Sequence, residues 1–154
     1  MNKEISDKVL GNSIDELEAV MLNNFPVIDC PVTNRFTDGM YVREIFMPAG
    51  ALITSKIHKT QHQYFILQGK AIVWIDGVEQ VLEAPYIGVT EPGTRRVLYI
   101  VSDCIWATSH PNPDNETLEQ IEERIIEKND NPYLTEDMKK MIYKLQNTDN
   151  QCLG

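Results

Sequence analysis

The sequence predicts a mainly β protein: an antiparallel barrel or sandwich with one helical segment before it and two after it. Three observations carry this reading. Between Val27 and His110, short apolar runs alternate with turn residues at a spacing of roughly 8–12 residues, with no helical spacers between them. Asp76-Gly77 sits between two such runs and is the strongest short-range hairpin signal. Helical periodicity is confined to the two ends of the chain.

Taken in order, the first element is a helix expected over Ile14–Leu22. Ser13 and Glu16 stand at capping-box spacing, and Ile14, Leu17 and Met21 share a face. Asn23-Asn24-Phe25-Pro26 ends it. Met40–Met47 reads as a strand stopped by Pro48-Ala49-Gly50. Ala71–Ile75 and Val78–Leu82 are the arms of the Asp76-Gly77 hairpin. Arg96–Val101 follows the turn Glu91-Pro92-Gly93, and Cys104–Thr108 is expected as a separate short strand. Beyond His110-Pro111-Asn112-Pro113 the pattern turns helical. Asn115 is expected as an N-cap, with Leu118, Ile121 and Ile125 in one stripe. Thr135 is expected to cap a last helix in which Met138, Met141, Ile142 and Leu145 share a face. These stripes are packing surfaces, against the barrel or a partner subunit. The expected organisation is one domain over 1–154: a helical extension at 1–25, a barrel at 27–110 and helices at 115–148.

A chain of 154 residues, 42% hydrophobic and 24% charged, is large enough for one sizeable core. No apolar stretch approaches the ~18 residues of a membrane span. Met1–Asp7 lacks the apolar core of a secretory signal, and Cys30, Cys104 and Cys152 form an odd set without CxxC. Reduced thiols and a cytoplasmic location are therefore expected, the host cytoplasm if the protein is viral. The net charge of −9 is unevenly spread: −4 over residues 1–39, zero over 40–110 and −5 over 111–154. An acidic surface argues against binding a nucleic-acid backbone. It leaves room for one small anion in a locally basic pocket.

The chemistry-bearing stretch runs from Gly50 to Gly69. Two of the three histidines, His58 and His62, lie here four residues apart, at the same parity as Lys56 and Tyr64. In extended backbone, residues of equal parity face one side. A straight strand would hold His58 and His62 about 13 Å apart, at ~3.3 Å per residue. Metal ligation needs both nitrogens at ~2.0–2.1 Å from one ion. A shared site therefore requires the chain to turn at Lys59-Thr60-Gln61.

This stretch resembles the first motif of the cupin superfamily: a glycine, His-x-His, three or four residues, Glu, six residues and a glycine. Counting back from Gly69, His62 takes the glutamate position, His58 the second histidine and Lys56 the first. Glu91-Pro92-Gly93-Thr94-Arg95-Arg96 is similar to a degenerate second motif, with Arg96 at its histidine. The resemblance covers Met40 to His110. With Trp106 to His110-Pro111 included, the pattern is most similar to small cupin-like proteins encoded by bacteriophages. It implies a jelly-roll barrel with a pocket at its mouth, and a homodimer or higher homo-oligomer.

Metal-binding cupins use three histidines and one glutamate. Here Lys56 and Arg96 replace two of those ligands, and a guanidinium or a charged lysine does not ligate. Three readings stay open. In the first, Lys56, His58, His62, Tyr64, Arg96 and His110 bind a small anionic, nucleotide-like ligand and sequester it, with Lys59 and Arg95 adding charge and Trp74 or Trp106 a flat wall. In the second, His58, His62 and His110 hold Zn, Fe, Ni or Mn in a metal-dependent oxygenase, isomerase or hydrolase. In the third, the barrel is a structural or interaction protein with a degenerate pocket. No GxSxG, HExxH or Gly-rich phosphate loop is present.

Overall fold

The computed structural model describes residues 3–11 and 13–146, with side chains through residue 142. Helices α1 (Lys3–Leu10) and α2 (Ile14–Asn24) precede strands β1 (Val32–Thr37), β2 (Gly39–Met47), β3 (Leu52–Thr54), β4 (His62–Ile75), β5 (Val78–Glu83), β6 (Tyr86–Thr90) and β7 (Arg96–Asn112). Helices α3 (Leu118–Ile125) and α4 (Glu136–Gln146) follow. Every strand pairing is antiparallel.

Two long strands organise the sheet, because each is long enough to serve in two halves. The first part of β4 pairs with β6 (His62↔Thr90, Tyr64↔Gly88) and with the end of β7 (Tyr64↔Thr108, Ile66↔Trp106). The second part pairs with β5 (Val73↔Gln80) and with the start of β7 (Val73↔Leu98). β2 joins the first half through Ile45↔Trp106, with β1 outside it, and β3 joins the second through Ile53↔Leu98. Register shifts between Ile66 and Ala71 mark the passage from one half to the other. There Gly69 has φ +87°, and a Cβ on it would run into the backbone of Asp103. Only glycine fits. The two halves close over Ile45, Met47, Ile53, Ile66, Val73, Leu98, Ile100 and Trp106, all buried. The result is a mainly antiparallel, cupin-like jelly roll with helices at both ends.

The opposite faces of the second half explain the N-terminal helices. Trp74 and Val97 point outward and are covered by Ile5 and Val9 of α1 and Ile14 and Leu17 of α2. At the barrel's mouth, Ile121 and Ile125 of α3 pack on Tyr41. The segment after α3 then straps down: Lys59 N donates to Ile125 O, and Glu127 N to Ile57 O, at 2.7 and 2.9 Å.

Several local expectations are corrected. Helix α1 was not anticipated from the sequence pattern. Ser13 makes no side-chain cap bond, and Glu16, the other half of the expected box, accepts from Lys8 Nζ at 2.5 Å instead. Asn115 sits in a turn at φ +53°, and Thr117 caps α3 in a reciprocal box with Gln120. Arg96–Val101 and Cys104–Thr108 are one continuous strand, β7. Trp74 lies on the outside of the barrel, so it is no wall of an internal pocket. Cys30 is disulfide-bonded while Cys104 is free and buried, so the expectation of reduced thiols does not hold for Cys30. Thr135 does accept from Met138 N at 3.2 Å at the start of α4. The side chain of Leu145, residues 147–148 and Cys152 lie outside the described residues. No helix among the described residues is long and apolar enough to cross a membrane.

Candidate metal and anion site

The chain does turn after His58. That residue lies in the β3–β4 connection, bridged to Ile126, and Gly93 N donates to His58 O at 2.9 Å. The bend over the next three residues brings it back beside His62, the first residue of β4. His110 enters from the end of β7, where Tyr41 of β2 is its cross-strand neighbour. Ring centroids are 4.5 Å apart for His58–His62, 4.6 Å for His62–His110 and 6.0 Å for His58–His110. One ligand nitrogen from each lies within 4.8 Å of the others.

Each ring is oriented by a neighbour. His62 Nδ1 stands 3.2 Å from the Thr60 carbonyl, which only accepts, so Nδ1 carries the proton and Nε2 keeps its lone pair. His110 Nε2 meets Thr108 Oγ1 at 3.0 Å, and its Nδ1 is buried with no hydrogen-bond partner. Buried polar atoms are almost always partnered, so this one calls for an explanation. Burial, reinforced by the neighbouring rings and guanidiniums, holds all three imidazoles neutral. His58 is pushed down to about 3 and His110 to about 4, and His62 is lowered as well. Neutral imidazole is the ligating form. Tetrahedral donors at ~2.0–2.1 Å from an ion stand about 3.4 Å apart, so modest side-chain rotation closes this triad on a metal. The residues fit such an ion.

Arg96, at the start of β7, is only 7% exposed. Its Cζ lies 4.9 Å from the centre of the Tyr64 ring, and Nη2 donates to Thr90 Oγ1 at 3.0 Å. Its Nε is buried and unpartnered. Tyr64 stacks on Trp106 at 4.7 Å. Gly88 opposite it leaves the space that the ring fills, since a Cβ there would collide with it.

Of the other candidates, Arg95 and Lys59 fall elsewhere, while Lys56 stands within the field of Arg43 and Glu122. Lys56 lines a cleft of about 610 Å³ with Glu18, Arg95 and Glu122, between the β3–β4 connection and the helices. Arg95 is turned away from the histidines and paired with Asp15 and Glu18 of α2 at 2.7 and 2.5 Å. Lys59 is exposed and donates to Glu123 O at 2.8 Å. These last two are fasteners for the helices rather than a basic lining. Arg43 was missed. It shares its face of β2 with buried Tyr41, Ile45 and Met47, and a charge among inward apolar residues was the available signal.

Taken together, the antiparallel topology and the meeting of His58, His62 and His110 describe a small jelly-roll barrel of the cupin-like kind. Among solved structures, the chain is similar to a cupin superfamily protein from Desulfitobacterium hafniense (11% identity, 56% of this chain and 80% of that one, TM-score 0.48). It is similar also to the Schizosaccharomyces pombe Cnp3 cupin domain (17%, 67% and 72%, 0.48) and to KdgF from Halomonas sp. (13%, 56% and 80%, 0.44). No protein-family model and no curated protein matches the sequence.

Proposed function

We propose that the barrel mouth is a three-histidine metal centre that takes a small anionic ligand. His58, His62 and His110 hold a divalent transition metal (Zn, Fe, Ni or Mn), and Arg96 supplies the charge that draws the anion to it. The observation that carries this reading is the convergence of three neutral imidazoles within 4.8 Å, one of them with a buried lone nitrogen facing no partner. The metal, when bound, supplies Lewis acidity or an activated water. Three protein ligands leave further coordination positions for a ligand. Thr60 and Thr108 orient the rings, and such outer partners tune both affinity and tautomer. Tyr64 backs the guanidinium of Arg96, whose fork matches a carboxylate or phosphate.

A metal-free anion pocket is the second reading, favoured by the unpartnered Nε of Arg96. Titration calorimetry and elemental analysis of protein purified without chelators separate the two. The proposal expects one equivalent of Zn, Fe, Ni or Mn per chain. Folded protein that binds none of the four, yet binds phosphate or carboxylates, would establish the second reading instead.

A further inference from the structure

Two guanidiniums are linked to the histidine triad, each through one threonine. Thr90 is the cross-strand neighbour of His62, and Arg96 Nη2 donates to Thr90 Oγ1. Thr108 contacts His110 Nε2, and Arg43 is the cross-strand neighbour of Thr108. Facing residues of an antiparallel pair share a side of the sheet, so Arg43 points inward with Thr108 and Tyr64. The electrostatic neighbours are consistent: Arg96 acts on His62, Arg43 acts on His110 together with Arg124, which is already paired with Glu116, and Arg43 and Arg96 both act on His58.

Neither cation has a paired carboxylate among the described residues. Arg43 is half-buried and makes no side-chain hydrogen bond or ion pair among them, and the carboxylate whose field reaches it is the exposed Glu122 of α3. Arg96 is buried with its Nε unpartnered. A buried cation without a counter-ion is costly, and two beside one cluster of imidazoles are compensated together by a ligand that brings two negative groups.

We propose that the site selects a small molecule with an acidic group at each end, one held by Arg96 and the other by Arg43, with its middle over the triad. This rests on the reading of the triad as the ligand-binding centre and narrows its ligand from an anion to a two-ended dianion. The chemistry is shared by dicarboxylates and by phosphorylated carboxylic acids. A single-headed anion satisfies one guanidinium and leaves the other bare.

Calorimetry of the zinc-loaded protein at fixed ionic strength tests this with acetate, propionate and butyrate against malonate, succinate and glutarate, and with phosphoglycolate as the mixed dianion. The best dianion is expected to bind about tenfold or more tighter than its single-headed counterpart. Arg43→Gln and Arg96→Gln should each erase that preference, and Arg43→Lys should retain part of it. Equal affinity for mono- and dianions overturns the inference, as does an Arg43→Gln protein that keeps the full preference. If Arg43→Gln does not fold by circular dichroism, Arg43→Lys decides: an unchanged preference in it overturns the assignment of a fork. Metal-free protein separates this from the metal reading. An arginine-dependent dianion preference without any zinc uptake would sink the metal centre and leave the two-ended ligand standing.

Discussion

Replacing His62 by Ala is expected to lower transition-metal affinity by about a hundredfold or more. Partners one shell further out are already worth 10–100-fold, so loss of a ligand exceeds that range. His62 is the central member: it is the ring nearest to both others, 4.5 and 4.6 Å away, and its tautomer is set by the Thr60 carbonyl. His110→Ala should act similarly, because its Nδ1 is the buried nitrogen without a partner. Thr108→Val removes the oxygen that steadies His110 Nε2 and should cost about tenfold. Lys59→Ala, on an exposed side chain bonded to a backbone carbonyl of α3, should leave affinity unchanged. Competition against a chromophoric chelator reads all four. Wild-type affinity in both histidine variants contradicts the triad.

Acid is expected to destabilise the metal-free protein from about pH 6.5 downward, before most carboxylates protonate. The sign follows from the depressed pKa values of the histidines. In the unfolded chain each takes its proton near 6.5, whereas in the fold His110 waits until about 4 and His58 until about 3, chiefly because burial penalises the imidazolium. Their stabilising effect is thus fully present above pH 6.5 and is lost as pH falls toward 4 and then 3. At about 1.4 kcal/mol per pKa unit, each costs on the order of 3 kcal/mol by pH 4. That is a large share of the 5–15 kcal/mol typical of a domain. Urea unfolding midpoints measured from pH 7 to 4 should fall steeply, and a His58→Asn, His110→Asn double variant should flatten the slope. A wild-type midpoint that stays level from pH 7 to 5 contradicts the burial of neutral rings.

The parts of the fold that the sequence disclosed are those set by local chemistry. Asp76-Gly77 has the backbone preference of a tight turn, and Asp76 at φ +51° and Gly77 at φ +75° adopt it. Gly69 marked the end of the first motif and proves to be the point where only a residue without Cβ passes Asp103. What escaped was set by distant partners. Helix α1 buries only two apolar residues, Ile5 and Val9, too few for a stripe, and is held by Trp74 far along the chain. Ser102-Asp103 read as a break in β7, yet the strand runs through because its backbone stays paired there with β4 (Lys70↔Ser102) and β2 (Met47↔Cys104).

The site divided along the same line. Parity placed His62 and Tyr64 on one inner face, and the turn at Lys59–Gln61 was the condition that any shared centre had to meet. His110 is brought in by β7 pairing with β2 and β4, a long-range register that no local pattern encodes. Arg95 and Arg96 are neighbours in sequence but face opposite sides of the barrel wall, so one ties down α2 while the other is enclosed beside Tyr64. Arg43 was legible in principle, as the charged member of an otherwise apolar inward row.

X-ray absorption at the metal edge of the zinc-loaded protein probes the centre itself. Three imidazoles in the first shell, with nitrogens at ~2.0–2.1 Å and an oxygen ligand beside them, are the required outcome. A shell of oxygens with one imidazole or none would mean that the histidines meet at the barrel mouth without sharing an ion.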